Sequence, residues 1–186
     1  MTGNFTSYKT KNQIFNDFIS ITSNALEFFS VTGWQIRQLN QVFKTNSLKP
    51  TTFISIISNK QAGSQYRSNI KTDDSYIKNN STKKEIHIRF SAAYRELPSD
   101  TLETLNSTDV LEYIKQYMQG TDGIAALSNL GYAQYRSTDI TEQSFINDSE
   151  DFEFMPYFDC TFLYTNSWTR IINQLTQAKE QGLYKI

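Results

Sequence analysis

Between Asp151 and Trp168 the chain reads DFEFMPYFDCTFLYTNSW, and this stretch leaves little choice of conformation. Successive side chains of a strand point to opposite faces. Laid out that way, Phe158, Cys160, Phe162 and Tyr164 share one face, with Asp159, Thr161, Leu163 and Thr165 on the other. Aromatic residues in phase with a period of two predict a strand in a well-packed sheet. From Ser167 a last amphipathic helix is expected, carrying Ile171, Ile172, Leu175 and Ala178. No nucleophile–base pair, metal cluster or phosphate loop accompanies the strand, which points to a protein that acts through its surfaces.

Other segments show helical or strand periods of their own. From Lys11 to Ser30, Ile14, Phe15, Phe18, Ile19, Thr22, Ala25, Leu26 and Phe29 track one helical face, with Gly33 closing the segment. Phe15 and Phe18 are read as packing residues. The run after Trp34 fits neither period and is expected to be a short strand or an irregular connector. Pro50 then opens the β-forming run TTFISII. Asn59 to Thr82 is polar, with Tyr66, Ser68 and Ile70 alternating, and predicts a long two-stranded projection. In the next strand Ile86, Ile88, Phe90, Ala92 and Tyr94 share a face opposite His87, Arg89, Ser91 and Ala93. A helix capped by Thr108 or Asp109 carries Val110, Leu111, Ile114, Tyr117 and Met118, and Gly120 ends it. A short helix from Asp122 stops at Gly131. Strands over Tyr132–Thr138 and Phe152–Tyr164 follow, joined by an acidic loop.

This order predicts an α+β fold: a mostly antiparallel sheet with helices packed on one face and a protruding β-hairpin. A chain of 186 residues suits one domain. The expected division is a mobile arm over 1–10, a single domain over 11–166 and a C-terminal helix or tail over 167–186. With 13 Phe and 11 Tyr the core needs no disulfide. The single cysteine, Cys160, excludes an internal disulfide and a multi-cysteine zinc site, and is read as a small buried apolar residue. No run of about 20 apolar residues is present, so no membrane-spanning helix is expected. The N-terminus MTGNFTSYKTKN lacks an apolar signal core, which implies synthesis in a cytoplasm-like compartment and makes Asn4, Asn80 and Asn106 irrelevant as glycosylation sites.

Each reactive-looking feature has a plainer explanation. His87, the sole histidine, sits mid-strand without a nucleophile or an orienting partner in sequence, so a surface or interface position is expected. The run INDSEDFE lacks the glycine and ligand spacing of a helix-loop-helix calcium site and reads as a turn. Neither Gly63 nor the Gly120–Gly123 pair makes a phosphate-cradling loop. No catalytic residue, cofactor or metal is expected. The basic hairpin with Tyr66 and Tyr76 resembles a single-strand nucleic-acid surface, but Asp73, Asp74 and a net charge of -1 argue against it. A soluble nucleic-acid-binding or adaptor module is nevertheless the alternative reading, with a small hydrolase third.

Charge is divided along the chain. Lys60, Arg67, Lys71, Lys78, Lys83 and Lys84 lie in one segment; Asp139, Glu142, Asp148, Glu150, Asp151, Glu153 and Asp159 lie in another that has no base. Two solvated loops explain this, and so do complementary halves of a head-to-tail contact between copies. Candidate inter-subunit or inter-ring contacts are Arg37, Gln41, Tyr66, Arg67, Lys71, Lys78, Lys83, Lys84, Asp148, Glu150, Asp151 and Glu153.

One constellation goes beyond composition. Ile36-Arg37-Gln38-Leu39-Asn40-Gln41 leads through Pro50 into FISII, then through a polar hairpin into EIHIRFSAAY, a helix, Gly131-Tyr132 and FDCTFLY. Across roughly residues 12–175 this order resembles the tail-terminator, or neck-terminator, proteins of tailed bacteriophages. Arg37, Gln41, Pro50, Gly131 and Asp159 are the matching positions. Such relatives often carry an arginine just before the closing strand, where this chain has Phe154-Met155-Pro156-Tyr157. The resemblance implies a virion protein of the neck, made in the bacterial cytoplasm. It would form a homo-oligomeric ring, typically a hexamer, that caps the tail tube and stops its polymerisation. Its implied partners are the tail tube protein and the head-completion or connector protein, with the sheath protein a further candidate. Genomic DNA would pass through the lumen without sequence-specific binding, and no membrane is involved.

Overall fold

The computed structural model describes residues 3–39, 50–71, 75–93, 105–142, 144–146 and 152–173. Strand β1 (Gly3–Ser7) precedes helix α1 (Lys11–Phe28), strands β2 (Gln35–Gln38), β3 (Thr51–Gln61), β4 (Tyr66–Lys71) and β5 (Ser75–Ala93). Helices α2 (Ser107–Gln119) and α3 (Thr121–Asn129) follow, then β6 (Tyr132–Ser137), β7 (Ser144–Ile146), β8 (Phe152–Phe154) and β9 (Tyr157–Asn173). The fold is α+β, as expected.

Two long strands organise the sheet. β5 and β9 pair antiparallel without a break in register, from Ser75↔Asn173 to Ser91↔Tyr157. Each is flanked by two shorter strands placed end to end. On the outer side of β5, β4 covers Tyr76 to Ser81 and β3 covers Lys84 to Ala93. On the outer side of β9, β6 covers Cys160 to Tyr164 and β1 covers Ser167 to Arg170. β2 extends the β3 edge in parallel, while β7 and β8 form a separate antiparallel pair.

The helices cover the half of this ribbon that carries the apolar face. Ile86, Ile88, Phe90 and Ala92 of β5 and Phe158, Cys160, Phe162 and Tyr164 of β9 are all buried, in the predicted phase. Phe18 of α1 wedges between them, with ring centroids 4.7 Å from Phe162 and 6.2 Å from Phe90. Ile14, Phe15, Ile21, Ala25 and Leu26 complete the buried stripe of α1, and α2 adds Val110, Leu111, Ile114, Tyr117 and Met118. Burying each of the larger side chains contributes about 1.5–3 kcal/mol.

Local chemistry sets the helix ends. Thr10 and Gln13 form a reciprocal capping box at the start of α1. At its end Ser30 takes the left-handed conformation (φ 56°), and Val31 N–H donates to the Leu26 carbonyl, so the helix ends at Phe28, five residues before Gly33. The cap of α2 is Asn106, with Asp109 reaching back to it, rather than Thr108 or Asp109. Gly123 lets α3 start against α2: a Cβ there would sit 2.0 Å from the Tyr117 carbonyl oxygen.

Four expectations need correcting. Residues 167–173 are not helical, because β9 continues through them opposite β5, so the sheet crosses the expected boundary at 166. Residues 174–186 lie outside the described residues. Within the expected N-terminal arm, Gly3–Ser7 is a strand held on β9. The expected two-stranded projection is the β4–β5 part of a four-stranded extension, β4-β5-β9-β1. The acidic segment likewise contains the β7–β8 pair rather than loop alone.

Candidate functional site

The functional surface follows from how the alternation of β5 and β9 continues past the core. Toward the helices lie Phe90, Ile88 and Ile86, then Lys84, Thr82, Asn80 and Lys78; on the reverse side lie Arg89, His87, Glu85, Lys83, Ser81, Asn79 and Ile77. The helix-covered half ends near Tyr164, whose hydroxyl pairs with the Asn59 side-chain amide (2.8 Å). Beyond that level the helix-side row turns polar, and Asn80 and Asn166 are buried there. Lys9 ties the end of β1 into the body. Its backbone N–H donates to Asn166 Oδ1 (3.0 Å), its ammonium pairs with Asp17 (2.5 Å), and it lies 4.3 Å from the Tyr132 ring centroid. Burial, then the hydrogen bond to Asp17, raises the Tyr132 phenol well above its ordinary pKa.

The reverse side of the ribbon is closed by ion pairs. Arg89 Nε and Nη2 donate to the two oxygens of Asp159 at 2.8 and 2.9 Å, and the guanidinium lies 3.9 Å from the Tyr157 ring centroid. This two-point bond raises the Arg89 pKa against the opposing effect of burial. The Asp159 backbone N–H also donates to Thr138 Oγ1 (2.9 Å). Glu85 accepts from His87 Nε2 (2.8 Å) and Lys60 (2.9 Å); the bond to His87, then that to Lys60, lowers its pKa. His87 is thus a half-exposed hydrogen-bond partner of Glu85, in line with the expected surface position. Cys160 is buried, and that burial pushes its thiol up to about 11.

The predicted contact residues scatter. Arg37 lies on β2, opposite Phe53, and donates to Gln35 Oε1 (2.7 Å). Gln41, Asp148, Glu150 and Asp151 lie outside the described residues. Glu153 occupies β8, opposite Phe145. Tyr66, Arg67 and Lys71 come together on exposed β4, but on two faces: Tyr66 pairs with Ser81, while Arg67 and Lys71 pair with Asn80 and Tyr76. Lys78 and Lys84 share the side of Arg67, and Lys83 the other. The basic residues therefore line the ribbon on both sides without forming one patch. Lys60, Asp139 and Asp159 are already paired within the chain, with Glu85, Lys115 and Arg89. Sequence reasoning missed Arg89 and Lys9 as partners, since each acts across a long stretch of chain. Register was the one signal available for Arg89, whose phase opposite the apolar residues matches that of Asp159.

A family model described as E217 gateway protein gp29 matches residues 18–173. The chain belongs to this family. No curated protein matches it. The matched region runs from the Phe18 wedge to the last described residue of β9, so the gateway family includes both the core and most of the ribbon. Membership places the chain among bacteriophage neck or gateway structural proteins and fits a place in the virion. Of the residues that carried the tail-terminator resemblance, Asp159 pairs with Arg89 of the neighbouring strand.

Proposed function

We propose that this gateway-family chain is a non-enzymatic tail, or neck, terminator. Copies assemble into a homo-oligomeric ring, a hexamer by the resemblance, that caps the head-proximal end of the tail tube. The observation that carries this reading is the gateway-family match across residues 18–173. The sheet supports it too, because half of the ribbon extends beyond the helix-covered core and offers surface that core packing does not use.

Capping of this kind follows from shape. One rim of the ring matches the terminal ring of the tube, and the other presents a different surface, so the next tube subunit finds no repeat of the face it needs. The second rim receives the head-completion or connector protein, and DNA passes through the opening. The sheath protein is a further neighbour if the tail contracts. The opposite reading, a single-strand nucleic-acid binder, draws little from the structure: Tyr66 and the cations Arg67 and Lys71 lie on opposite sides of β4.

Disrupting the gene in the phage tests the proposal by electron microscopy of lysates. Expected are tails of unregulated length that fail to join heads, with complementation by the wild-type gene restoring both. Tails of normal length attached to filled heads in the disrupted strain would refute the terminator role.

A further inference from the structure

The four-stranded extension has two edges that fit each other. β4 pairs only with β5 and β1 only with β9 among the described residues. Every pairing in the extension is antiparallel, so its strands alternate in direction, and β4 and β1 at the two ends run in opposite senses. Placing β1 of one copy beside β4 of the next therefore continues the alternation unbroken. The edges also stand at one level along the ribbon. Following the registers, Asn69 aligns with Lys78, Arg170 and Gly3; Ser68 with Asn79, Thr169 and Asn4; and Tyr66 with Ser81 and Ser7.

The free edge of β4 is protected on one face only, where Arg67 and Lys71 lie. It has no proline or bulge, and Tyr66 and Ile70 stand 67% and 52% exposed on one face. Exposed strands of this kind pair with other chains. Charge selects the pairing. Two β4 strands brought together would set Arg67 and Lys71 against their copies, whereas β1, GNFTS, carries no charge to oppose them. Like charges placed directly opposite destabilise a strand pair.

We infer that copies of this chain join by β4-to-β1 strand pairing, so that their extensions form one continuous antiparallel sheet around the ring. The inference rests on the ring reading above and specifies the contact that closes it. A head-to-tail contact between different edges generates a closed ring when its rotation closes. The twist of adjacent strands supplies curvature, and the register at each junction takes up the stagger that closure requires.

Virions carrying Ser68→Cys together with Asn4→Cys test this with a short thiol cross-linker, which tolerates a two-residue shift in register. Within one copy these positions are three strand spacings apart, roughly 14 Å, beyond the reach of a short linker. Cys160 is 1% exposed and stays silent. Expected is a ladder of covalent oligomers on denaturing gels from the double variant and only monomer from either single variant. Dimers from Ser68→Cys alone would show β4 pairing with itself and overturn the inference. Monomer alone, from particles whose neck ring is visible by electron microscopy, would also overturn it while leaving the ring reading intact. Absence of any ring containing this protein would remove both.

Discussion

At the residue scale, Phe158 and Cys160 show what the alternating strand is for. Phe158 is fully buried and stacks on Phe90 with ring centroids 5.1 Å apart and planes 15° from parallel. Phe158→Ala should lower stability by about 3–5 kcal/mol, since the lost contacts are compounded by an unfilled cavity. Urea melts measure this, and a loss below about 1 kcal/mol would mean that the site collapses freely. Cys160 bears on pH. Its folded pKa of about 11 stands above the ordinary 9.0, so the folded state holds the thiol proton more tightly than the unfolded chain. The resulting stabilisation is complete below pH 9 and disappears as pH rises through 11; Tyr132 and Tyr164, also raised by burial, act in the same direction. Stability should therefore fall in alkali, and Cys160→Ala should remove roughly 2–3 kcal/mol of that fall between pH 9 and 11. Parallel pH profiles for the two proteins would rule out a thiol contribution.

At the element scale, the local patterns that could be read correctly were those whose partners lie in the core. The phases of β5 and β9 were visible because burial on one side imposes a period of two, and α1 and α2 because their stripes meet that same surface. The end of β9 was misread for a physical reason. Ser167, Ile171, Ile172 and Leu175 are spaced as a helix would place them, yet seven residues of β5, Ser75 to Ser81, pair with Ser167 to Asn173. Non-local pairing outweighed local propensity. β1 left no local signal because an edge strand is defined by its neighbour, and the Arg89–Asp159 pair spans 70 positions in sequence. Gly123 belongs here as well: as part of the Gly120–Gly123 pair it offered no phosphate loop, and its purpose is the close approach of α3 to α2. Gly123→Ala meets backbone at 2.0 Å and should cost about 3 kcal/mol or more, seen as a lower thermal midpoint and a loosened α2–α3 junction by hydrogen exchange. Wild-type stability in this variant would mean that the helices separate without penalty.

At the scale of the whole molecule, the helix-covered core carries a ribbon longer than its packing requires. β5 alone has 19 residues, about 60 Å of strand, and the helices cover only the half that ends near Tyr164. Along this ribbon Lys78, Lys83 and Lys84 lie outside any ion pair found among the described residues, unlike Lys60. Their sequence complement is the acidic segment around Asp148, Glu150, Asp151 and Glu153, where Glu153 sits on the small β7–β8 pair. If the two segments meet across a subunit boundary, reversing all three lysines to glutamate sets like charges together, which costs several kcal/mol at an interface. Ring formation in the presence of the tube should then weaken by about tenfold or more, and increasingly so at low salt, where screening is least. The melting curve of the isolated chain should hardly move, because surface charges outside ion pairs contribute little to the fold. Light scattering reads the first outcome and circular dichroism the second. An unchanged particle mass with an unchanged melt would show that the ring contact does not run through these lysines.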